Sequence, residues 1–309
     1  MSDYLVHGTA YGGQILAFAC ETTELVEDAR LRHGLSPVAT AALGRALSAA
    51  AMMGSQLKSE EETITLHIEG NGPLGKTVAV ADGAGRLRGY CNNPDVRIPL
   101  KENGHLDVAG GVGVGVLTIT KDLGLKEPYT GSSHLVSSEI AEDLAYYFTV
   151  SEQIPSAVSL GVMVNRDESV WAAGGFILQL LPGADDDTAD KLQQRVEAFP
   201  PVSKYLAMGK TPEDMLHDLL GDMGFVPMER RDLAFRCNCS RDKVSAALLS
   251  VGLADLQELC DAGEPVEMGC HYCGEKYVFT VDEIRELMEH AQEPAEEPSE
   301  EPSLEPAEE

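Results

Sequence analysis

Two close pairs of cysteines near the C-terminus are the residues of this sequence whose types and spacing most directly suggest chemistry. The first pair is Cys237 and Cys239, and the second is Cys270 and Cys273. Because each pair can present both sulfurs from one tight turn, the four thiolates can complete a tetrahedral Zn²⁺ site. His271 lies between two better-placed ligands, so we expect it to stay outside the ligand set. The spacing therefore predicts one zinc ion held by four cysteines.

The same spacing permits a second chemical state of the four cysteines. Oxidants attack thiolates, and each cysteine has a partner within reach, so zinc release with formation of the disulfides Cys237-Cys239 and Cys270-Cys273 is feasible. A purely structural zinc ribbon is the alternative interpretation, and spacing alone favours it. A disulfide within Cys-x-Cys closes a tight ring and is easily reduced. The presence of Cys-x-Cys in place of a second Cys-x-x-Cys is the feature that argues against the ribbon.

The other three cysteines are expected to pack in apolar surroundings. Five of the seven cysteines follow residue 236, a clustering typical of metal or redox chemistry rather than of a disulfide framework. Cys260 falls in a predicted helix at residues 254–261, and Cys20 and Cys91 lie in or beside apolar strand patterns. Each of them is therefore predicted to be a small packing residue.

Three other motifs resemble catalytic or nucleotide-binding signatures but lack their context. Residues 70–77 match G-x-x-x-x-G-K-T, yet a strand pattern follows instead of a helix, and Pro73 removes a needed amide, so we expect a hairpin turn. The glycines of residues 111–115 precede a β-branched run, which favours a turn and a strand over a dinucleotide site. The Ser-His pair within residues 131–134 lacks the closing glycine of a nucleophile elbow. No catalytic residue is predicted.

The segment that carries the four cysteines, residues 233–288, is too small for a comfortable hydrophobic core. Structural zinc contributes about 10–16 kcal/mol to such small domains, whereas the net stability of a whole domain is about 5–15 kcal/mol. A capping box formed by Thr280 and Glu283 predicts the start of its last helix. Loss of the metal should therefore unfold this module.

Residues 181–232 are predicted to be a linker of amphipathic helices. The second helix begins at Thr211, which is followed by a first-turn proline and two acidic residues. Because so short a segment cannot bury its own apolar stripe, it must dock on another surface. It forms either ordinary helices that close the first domain or a detachable cover. The apolar residues at helical spacing are Met215, Leu216, Leu219, Leu220 and Met223.

Residues 1–180 are predicted to be an α+β domain with strands in the middle and helices at either side. Ser36 and Pro37 predict the start of a long helix that ends near Leu57. Strands are predicted at residues 14–20, 63–68, 76–81, 86–91, 115–120, 158–164 and 174–181, and further helices at residues 22–32 and 138–150. The predicted architecture is an N-terminal mixed α/β-sheet domain, a helical linker and a small C-terminal zinc-binding domain.

The charge of the chain limits its partners. Its 309 residues include 51 acidic and 23 basic ones, a formal charge of −28. This balance repels phosphate backbones and anionic membranes, so neither nucleic acid nor a membrane is expected to be a partner. The sequence has no uncharged apolar run of membrane-spanning length and no signal-peptide pattern at residues 1–10, which predicts a cytoplasmic location. Residues 289–309 carry nine glutamates and four prolines, which predicts a disordered acidic tail.

The cysteine segments, RCNCSRDKV at residues 236–244 and CHYCGEKYVF at residues 270–279, resemble the zinc centre of the 33 kDa heat-shock protein family. The likeness continues through GPLGKTVAVADGAGRLRGY at residues 72–90 and through residues 116–131, 137–162 and 174–184. It covers nearly the whole chain up to about residue 289 and leaves the acidic tail outside. These blocks are specific in combination, whereas Cys-x-x-Cys alone would not be.

Members of that family are redox-regulated holdase chaperones, and the resemblance implies the same function here. The reduced protein would bind one zinc ion through the four cysteines and be largely inactive. Oxidation would form the two disulfides, release zinc, unfold the small domain and loosen the linker. The exposed apolar surface would then hold unfolding client proteins without ATP, and oxidation would favour a homodimer. Four linker residues would either cover this client surface or form part of it: Leu216, Leu219, Leu220 and Met223.

Two other functions are alternatives to this chaperone. A thiol-disulfide oxidoreductase would use Cys270 and Cys273 and would turn over disulfide substrates in its zinc-free form. A nucleic-acid-binding zinc ribbon would need a basic face, for which the cysteine segment offers only Arg236, Arg241 and Lys243.

Overall fold

The computed structural model describes residues 3–292. The chain divides into two compact units. The first comprises the residues up to Cys237 together with His271–Gly274, and the second comprises Asn238–Cys270 together with the residues from Glu275 onward. Helices and sheets occur in both units, so the predicted α+β class is confirmed. None of the helices described is long and apolar enough to cross a membrane.

The strands of the described residues form three sheets. In chain order they are β1 (Tyr4–Ala10), β2 (Ile15–Glu21), β3 (Thr63–Gly70), β4 (Lys76–Asp82), β5 (Arg86–Cys91), β6 (Gly115–Asp122), β7 (Tyr129–His134), β8 (Ser156–Val164), β9 (Val170–Leu180), β10 (Val226–Asp232), β11 (Ala234–Phe235), β12 (Val266–Gly269) and β13 (Lys276–Phe279).

The α-helices of the described residues are distributed over both units. In chain order they are α1 (Thr23–His33), α2 (Pro37–Gly54), α3 (Val108–Val112), α4 (Ala141–Tyr147), α5 (Asp186–Ala198), α6 (Val202–Ala207), α7 (Pro212–Leu220), α8 (Arg241–Leu249), α9 (Leu253–Ala262) and α10 (Val281–Gln292). A π-helical turn, Phe148–Glu152, follows α4.

The first unit contains two sheets. The five-stranded sheet has the order β10-β1-β2-β9-β8, and all its neighbours pair antiparallel. The six-stranded sheet has the order β11-β5-β4-β3-β6-β7, in which only the short β11 runs parallel to its neighbour β5. Residues 70–77 form the turn between the antiparallel strands β3 and β4, so the predicted hairpin is confirmed and no helix follows this motif.

Helix α2 lies between the two sheets and is buried along nearly its whole length. Gly44 lies against Val162 of β8, and Gly54 lies against Ala81 of β4, so small residues let both sheets approach the helix closely. The predicted cap is confirmed, because the hydroxyl of Ser36 accepts a hydrogen bond from the Ala39 amide. The helix ends at Gly54, three residues before the predicted end.

Helices α5, α6 and α7 pack on one face of the five-stranded sheet and share one hydrophobic core with β1, β2 and β9. The capping box at the start of α7 is confirmed, because Thr211 and Asp214 exchange side-chain to backbone hydrogen bonds. The four residues that were predicted to cover or form a client surface are all buried in this core: Leu216, Leu219, Leu220 and Met223.

Strands β10 and β11 form a strap that joins the two sheets of the first unit. Strand β10 pairs with the edge of β1, and β11 pairs with the edge of β5. Between them, the Leu233 amide donates to the carbonyl oxygen of Asp3. The strap ends at Phe235, two positions before Cys237. The first cysteine pair therefore follows a segment that pairs with both sheets.

The second unit has its own small core. Strands β12 and β13 form an antiparallel hairpin, and α8, α9 and α10 enclose it. The predicted capping box of α10 is confirmed, because Thr280 and Glu283 exchange hydrogen bonds. The buried residues of this core are Leu248, Leu256, Cys260, Phe279, Ile284 and Met288.

Three further segments that differ from the sequence predictions lie around α4, α3 and α10. Helix α4 begins at Ala141 rather than at residue 138, because the Asp143 carboxylate accepts hydrogen bonds from the amides that precede the helix. The glycines expected in a turn and a strand begin inside the short helix α3, which Asp107 caps. Helix α10 continues to Gln292, four residues into the predicted tail, and residues 293–309 of that tail lie outside the described residues.

Candidate metal centre

The sulfurs of Cys237, Cys239, Cys270 and Cys273 lie within 4.8 Å of one another. Cys273 is buried and the other three are half-buried. Among the described residues they form the group of His, Cys, Asp and Glu side chains that could hold a metal ion, and His271 is not a member of it. The structure thus brings together the four residues that the sequence singled out.

The first cysteine pair follows strand β11. The Arg236 amide donates to the carbonyl oxygen of Leu87 in β5, which fixes the backbone immediately before Cys237. After the pair, the hydroxyl of Ser240 accepts a hydrogen bond from the Lys243 amide and caps α8. The ammonium group of Lys243 donates to the carbonyl oxygen of Asn238, the residue between the two cysteines, at 2.8 Å. Hydrogen bonds therefore hold the backbone on both sides of the Cys-x-Cys turn.

The second cysteine pair lies in the turn of the β12–β13 hairpin. The Cys270 amide donates to the carbonyl oxygen of Glu275 at 2.8 Å and closes the turn. Gly274 has φ +72°, a conformation that costs a residue with a Cβ about 1–2 kcal/mol. A Cβ at this position would also lie 2.8 Å from the carbonyl oxygen of Arg32. Glycine is therefore required directly after Cys273.

His271 and Tyr272, the residues between Cys270 and Cys273, belong to the first unit and pack there on strand β5 and helix α1. The Gly89 amide donates to the carbonyl oxygen of Tyr272 at 3.2 Å, and Nε2 of His33 lies 3.3 Å from the same oxygen. The ring of His271 packs against that of Tyr90, with the centroids 5.1 Å apart. Burial lowers the pKa of His33. His271 is thus engaged in ring packing, and its exclusion from the ligand set stays a prediction.

A hydroxyl group from strand β13 also contacts the cysteines. The Tyr277 hydroxyl donates to the sulfur of Cys239 at 3.2 Å. A hydrogen bond to a thiolate favours its charged form, which is the form that binds a metal. Nothing in the sequence pointed to this contact, because 38 positions separate the two residues.

Four thiol groups at this spacing fit zinc. Zinc–sulfur bonds of about 2.3 Å in a tetrahedron place neighbouring sulfurs about 3.8 Å apart, which the observed cluster satisfies with little adjustment. Thiolates are soft ligands that select zinc, copper(I) or iron–sulfur clusters over magnesium or calcium. The donor set can therefore bind a metal ion of this soft class.

The other three cysteines lie apart from this group and are buried, as the sequence predicted. Burial raises the pKa of Cys91 to about 12 and that of Cys20 still further. Such thiols stay protonated at neutral pH and react slowly with oxidants. Cys260 packs in the core of the second unit.

Two of the three basic residues that a nucleic-acid interface would use are engaged elsewhere. The guanidinium of Arg241 lies over the Phe279 ring and pairs with Glu283, and Lys243 is bound to its own turn. Ser133 and His134 are neighbours in β7, where successive side chains point to opposite faces, so they do not form a nucleophile and base pair.

Comparisons with known proteins give matches over nearly the whole chain. The sequence model of a family described as "Hsp33 protein" matches residues 3–280. The chain is 46% identical over 288 residues to the 33 kDa chaperonin of Lachnoclostridium phytofermentans, a match covering 93% of this chain and 99% of the relative. It is also 46% identical over 293 residues to the 33 kDa chaperonin of Geobacillus kaustophilus, covering 94% and 99%. The crystal structure of the 33 kDa chaperonin (heat shock protein 33 homolog) of Thermotoga maritima superposes with a TM-score of 0.89 at 39% identity, covering 94% and 99%.

Proposed function

Because the chain belongs to the Hsp33 family, we propose that it is a redox-regulated, ATP-independent holdase chaperone that binds unfolding proteins under oxidative stress. The observation that carries the proposal is the cluster of four cysteine sulfurs within 4.8 Å. The cysteines act as a sensor and not as a catalytic centre, so the protein is not an enzyme. Its location is the cytoplasm, where a reducing environment keeps the thiols available.

In the reduced state, Cys237, Cys239, Cys270 and Cys273 hold one zinc ion. The metal supplies the cross-link that the small core of the second unit needs for a stable fold. The Tyr277 hydroxyl and the Lys243 ammonium group keep the first cysteine pair in position. Tyr272 meanwhile anchors the second pair to β5 through its carbonyl oxygen.

The switch needs a two-electron oxidant for each cysteine pair, and hydrogen peroxide is one such oxidant. Each peroxide accepts two electrons from one cysteine pair, its O–O bond breaks to give two water molecules after proton uptake, and one S–S bond forms. Two peroxides therefore convert four thiolates into the disulfides Cys237-Cys239 and Cys270-Cys273. Disulfide sulfurs are poor metal ligands, so the zinc ion is released to solvent.

Zinc release destabilises the linker by way of the strap of β10 and β11. This strap ends at Phe235, two positions before Cys237, and adds only edge pairing to the two sheets, with most of its side chains exposed. It is therefore among the least stable parts of the first unit once Cys237 is no longer fixed. When β10 and β11 detach, the segment that follows α7 is no longer held on either sheet. The linker helices are then free to leave the five-stranded sheet.

Departure of the linker exposes an apolar sheet face to which clients bind. In the described structure α5, α6 and α7 cover this face, and residues of three strands form it: Tyr4, Val6, Ala17, Ala19, Phe176 and Leu178. Two oxidised molecules associate through their exposed apolar surfaces and form a homodimer. No step uses ATP, and the net charge of −28 disfavours nucleic acid and membranes as partners. The same charge keeps a chaperone with exposed apolar surface in solution.

One experiment tests the switch. Zinc content, free thiols and suppression of client aggregation are measured before and after treatment with peroxide at mildly unfolding temperature. The proposal expects one zinc per chain to be lost, four thiols to disappear and aggregation suppression to appear together. Retention of zinc with unchanged suppression would refute the switch. Turnover of a disulfide substrate by the zinc-free protein would indicate an oxidoreductase instead.

A further inference from the structure

We propose that the free edge of strand β8 binds one extended segment of a client polypeptide as an added β-strand, a proposal that rests on the chaperone function above. Strand β8 is an edge of the five-stranded sheet and pairs only with β9. No described residue outside β9 makes a backbone hydrogen bond to residues 156–164. An unpaired edge is a template for a further strand.

The register of β8 and β9 identifies the backbone groups that are free. The Leu180 amide donates to the carbonyl oxygen of Pro155, so position 155 is a hydrogen-bonded position of this antiparallel pair. Such positions alternate, so residues 157, 159 and 161 also bond to β9. The residues between them direct their N–H and C=O groups to the open edge: Ser156, Val158, Leu160 and Val162.

A groove runs along this edge. It is lined by residues 159–164 of β8, by residues 201–204 at the start of α6, and by Arg45, His105 and Leu106. The cavity has a volume of about 330 Å³. Six residues in extended conformation span about 20 Å. The β8 segment that lines the groove therefore matches the length of an extended peptide of about six residues.

Strand β8 lacks the features that normally protect an edge. Its nine residues, SAVSLGVMV, contain no charge and no proline. Natural edge strands usually carry lysine, proline or inward-pointing charges that prevent pairing with other chains. In a chain with 51 acidic residues, an unpaired edge strand of this length without any charge favours strand addition.

The rim of the groove is basic. Arg45, His105 and Lys204 line it, and none of its lining residues is acidic. Lys204 has no ion pair among the described residues. Arg45 binds Glu139 through Nη1, while its Nε is buried without a partner. Because Arg45 is paired with Glu139, the ammonium group of Lys204 is the charge that favours an apolar extended segment ending in, or followed by, a carboxylate.

The test uses the full-length, zinc-loaded protein and a fluorescein-labelled heptapeptide of sequence Thr-Val-Thr-Val-Thr-Val-Asp. We expect saturable binding in fluorescence anisotropy and slower hydrogen exchange at the amides of Val158, Leu160 and Val162. Amides of residues 157, 159 and 161 already bond to β9 and should not change. A peptide methylated on two consecutive central amide nitrogens should bind at least tenfold more weakly, because neither of its edges can pair. Equal affinity of the two peptides would overturn the proposal.

Matched variants separate the edge amide from the side chain. Val158→Pro removes one free amide and should weaken binding about tenfold, whereas Val158→Ala keeps the amide and should bind as the wild type does. Fluorescence of Trp171, on the neighbouring strand β9, checks that the sheet is intact. If Val158→Pro does not fold, Lys204→Glu serves in its place and should weaken binding of the aspartate peptide but strengthen binding of a lysine-ended one. An unchanged preference would overturn the proposal.

Two controls separate peptide binding at the edge from self-association and from loss of the chaperone function. Exchange protection of the same amides without peptide, rising with protein concentration, would show that a second copy occupies the edge and would overturn the peptide assignment. Suppression of aggregation after oxidation is measured in parallel. If suppression appears but the peptide does not bind, the edge proposal fails and the chaperone function stands. If suppression never appears, the chaperone function fails, whatever the peptide does.

Discussion

The substitution Leu216→Ala decides whether the linker covers the client surface or forms part of it. Leu216 is fully buried in the core that α7 shares with β1 and β2. Leucine to alanine at such a site costs about 2–5 kcal/mol, because apolar contact is lost and a cavity remains. A cost of about 3 kcal/mol would raise the population of molecules with an undocked linker about 150-fold.

If the linker is a cover, the reduced and zinc-loaded Leu216→Ala protein should suppress client aggregation without any oxidant. Hydrogen exchange of amides in α7 should be faster to a similar degree, while zinc content stays at one per chain. Met208→Ala is the matched control, because Met208 belongs to the same linker and is 68% exposed. Such a surface change should alter stability by no more than about 0.5 kcal/mol.

The opposite result would refute the cover. If Leu216 contacts clients directly, the reduced variant should remain inactive, and the oxidised variant should bind clients more weakly than the oxidised wild type. Fluorescence of Trp171 distinguishes either outcome from unfolding of the sheet. Unchanged exchange in α7 would show that the burial of Leu216 contributes little to docking, and the reasoning from its packing would then be wrong.

Three further changes test other parts of the structure. Cys239→Ser should abolish tight zinc binding and unfold the second unit, while the fluorescence of Trp171 still reports a folded first unit. The control Cys260→Ala should keep its zinc. Tight zinc binding by Cys239→Ser would contradict the four-ligand set. Gly274→Ala should lower stability by at least about 1–2 kcal/mol in urea titration, whereas Gly269→Ala, which meets nothing within 4 Å, should not. Burial raises the pKa of Asp3 from 3.8 to about 7, so the folded state holds this proton more tightly than the unfolded chain. The stability that this proton contributes is fully present below pH 3.8 and is lost as the pH rises through 7. The free energy of unfolding of the wild type, measured relative to that of Asp3→Asn, should therefore fall between pH 4 and pH 7. A difference that stays constant over this range would contradict the pKa shift.

Local signals predicted the elements whose own residues determine them. The alternation in β3 and β4 and the glycines between them specified a hairpin, and the structure contains it. Thr211 and Asp214 specified the start of α7 by the hydrogen bonds that they exchange. The four cysteines were identifiable because their side chains have few uses other than metal binding or oxidation at such spacing.

Elements that depend on distant partners were not predicted. Strand β10 carries a proline and four charged residues in sequence VPMERRD, which is typical of a loop, and it becomes a strand only because the edge of β1 is available. Strand β1 itself, with its central histidine and glycine, was also missed. The Tyr277 contact with Cys239 and the packing of Tyr272 on Gly89 join residues far apart in the chain. Sequence spacing carries no information about such pairs.

The two edges of the five-stranded sheet differ in a way that solubility alone does not explain. On one side β10 ends the sheet with Pro227 and a run of charges, the usual protection against pairing with other chains. On the other side β8 ends it with no charge and no proline, although the chain has acidic residues in excess. If both edges were under the same requirement to avoid association, both would carry the same protection. A bare edge lined by Arg45 and Lys204 is instead what a site for extended polypeptide requires, because a proline there would remove a pairing amide and charged side chains would disfavour pairing.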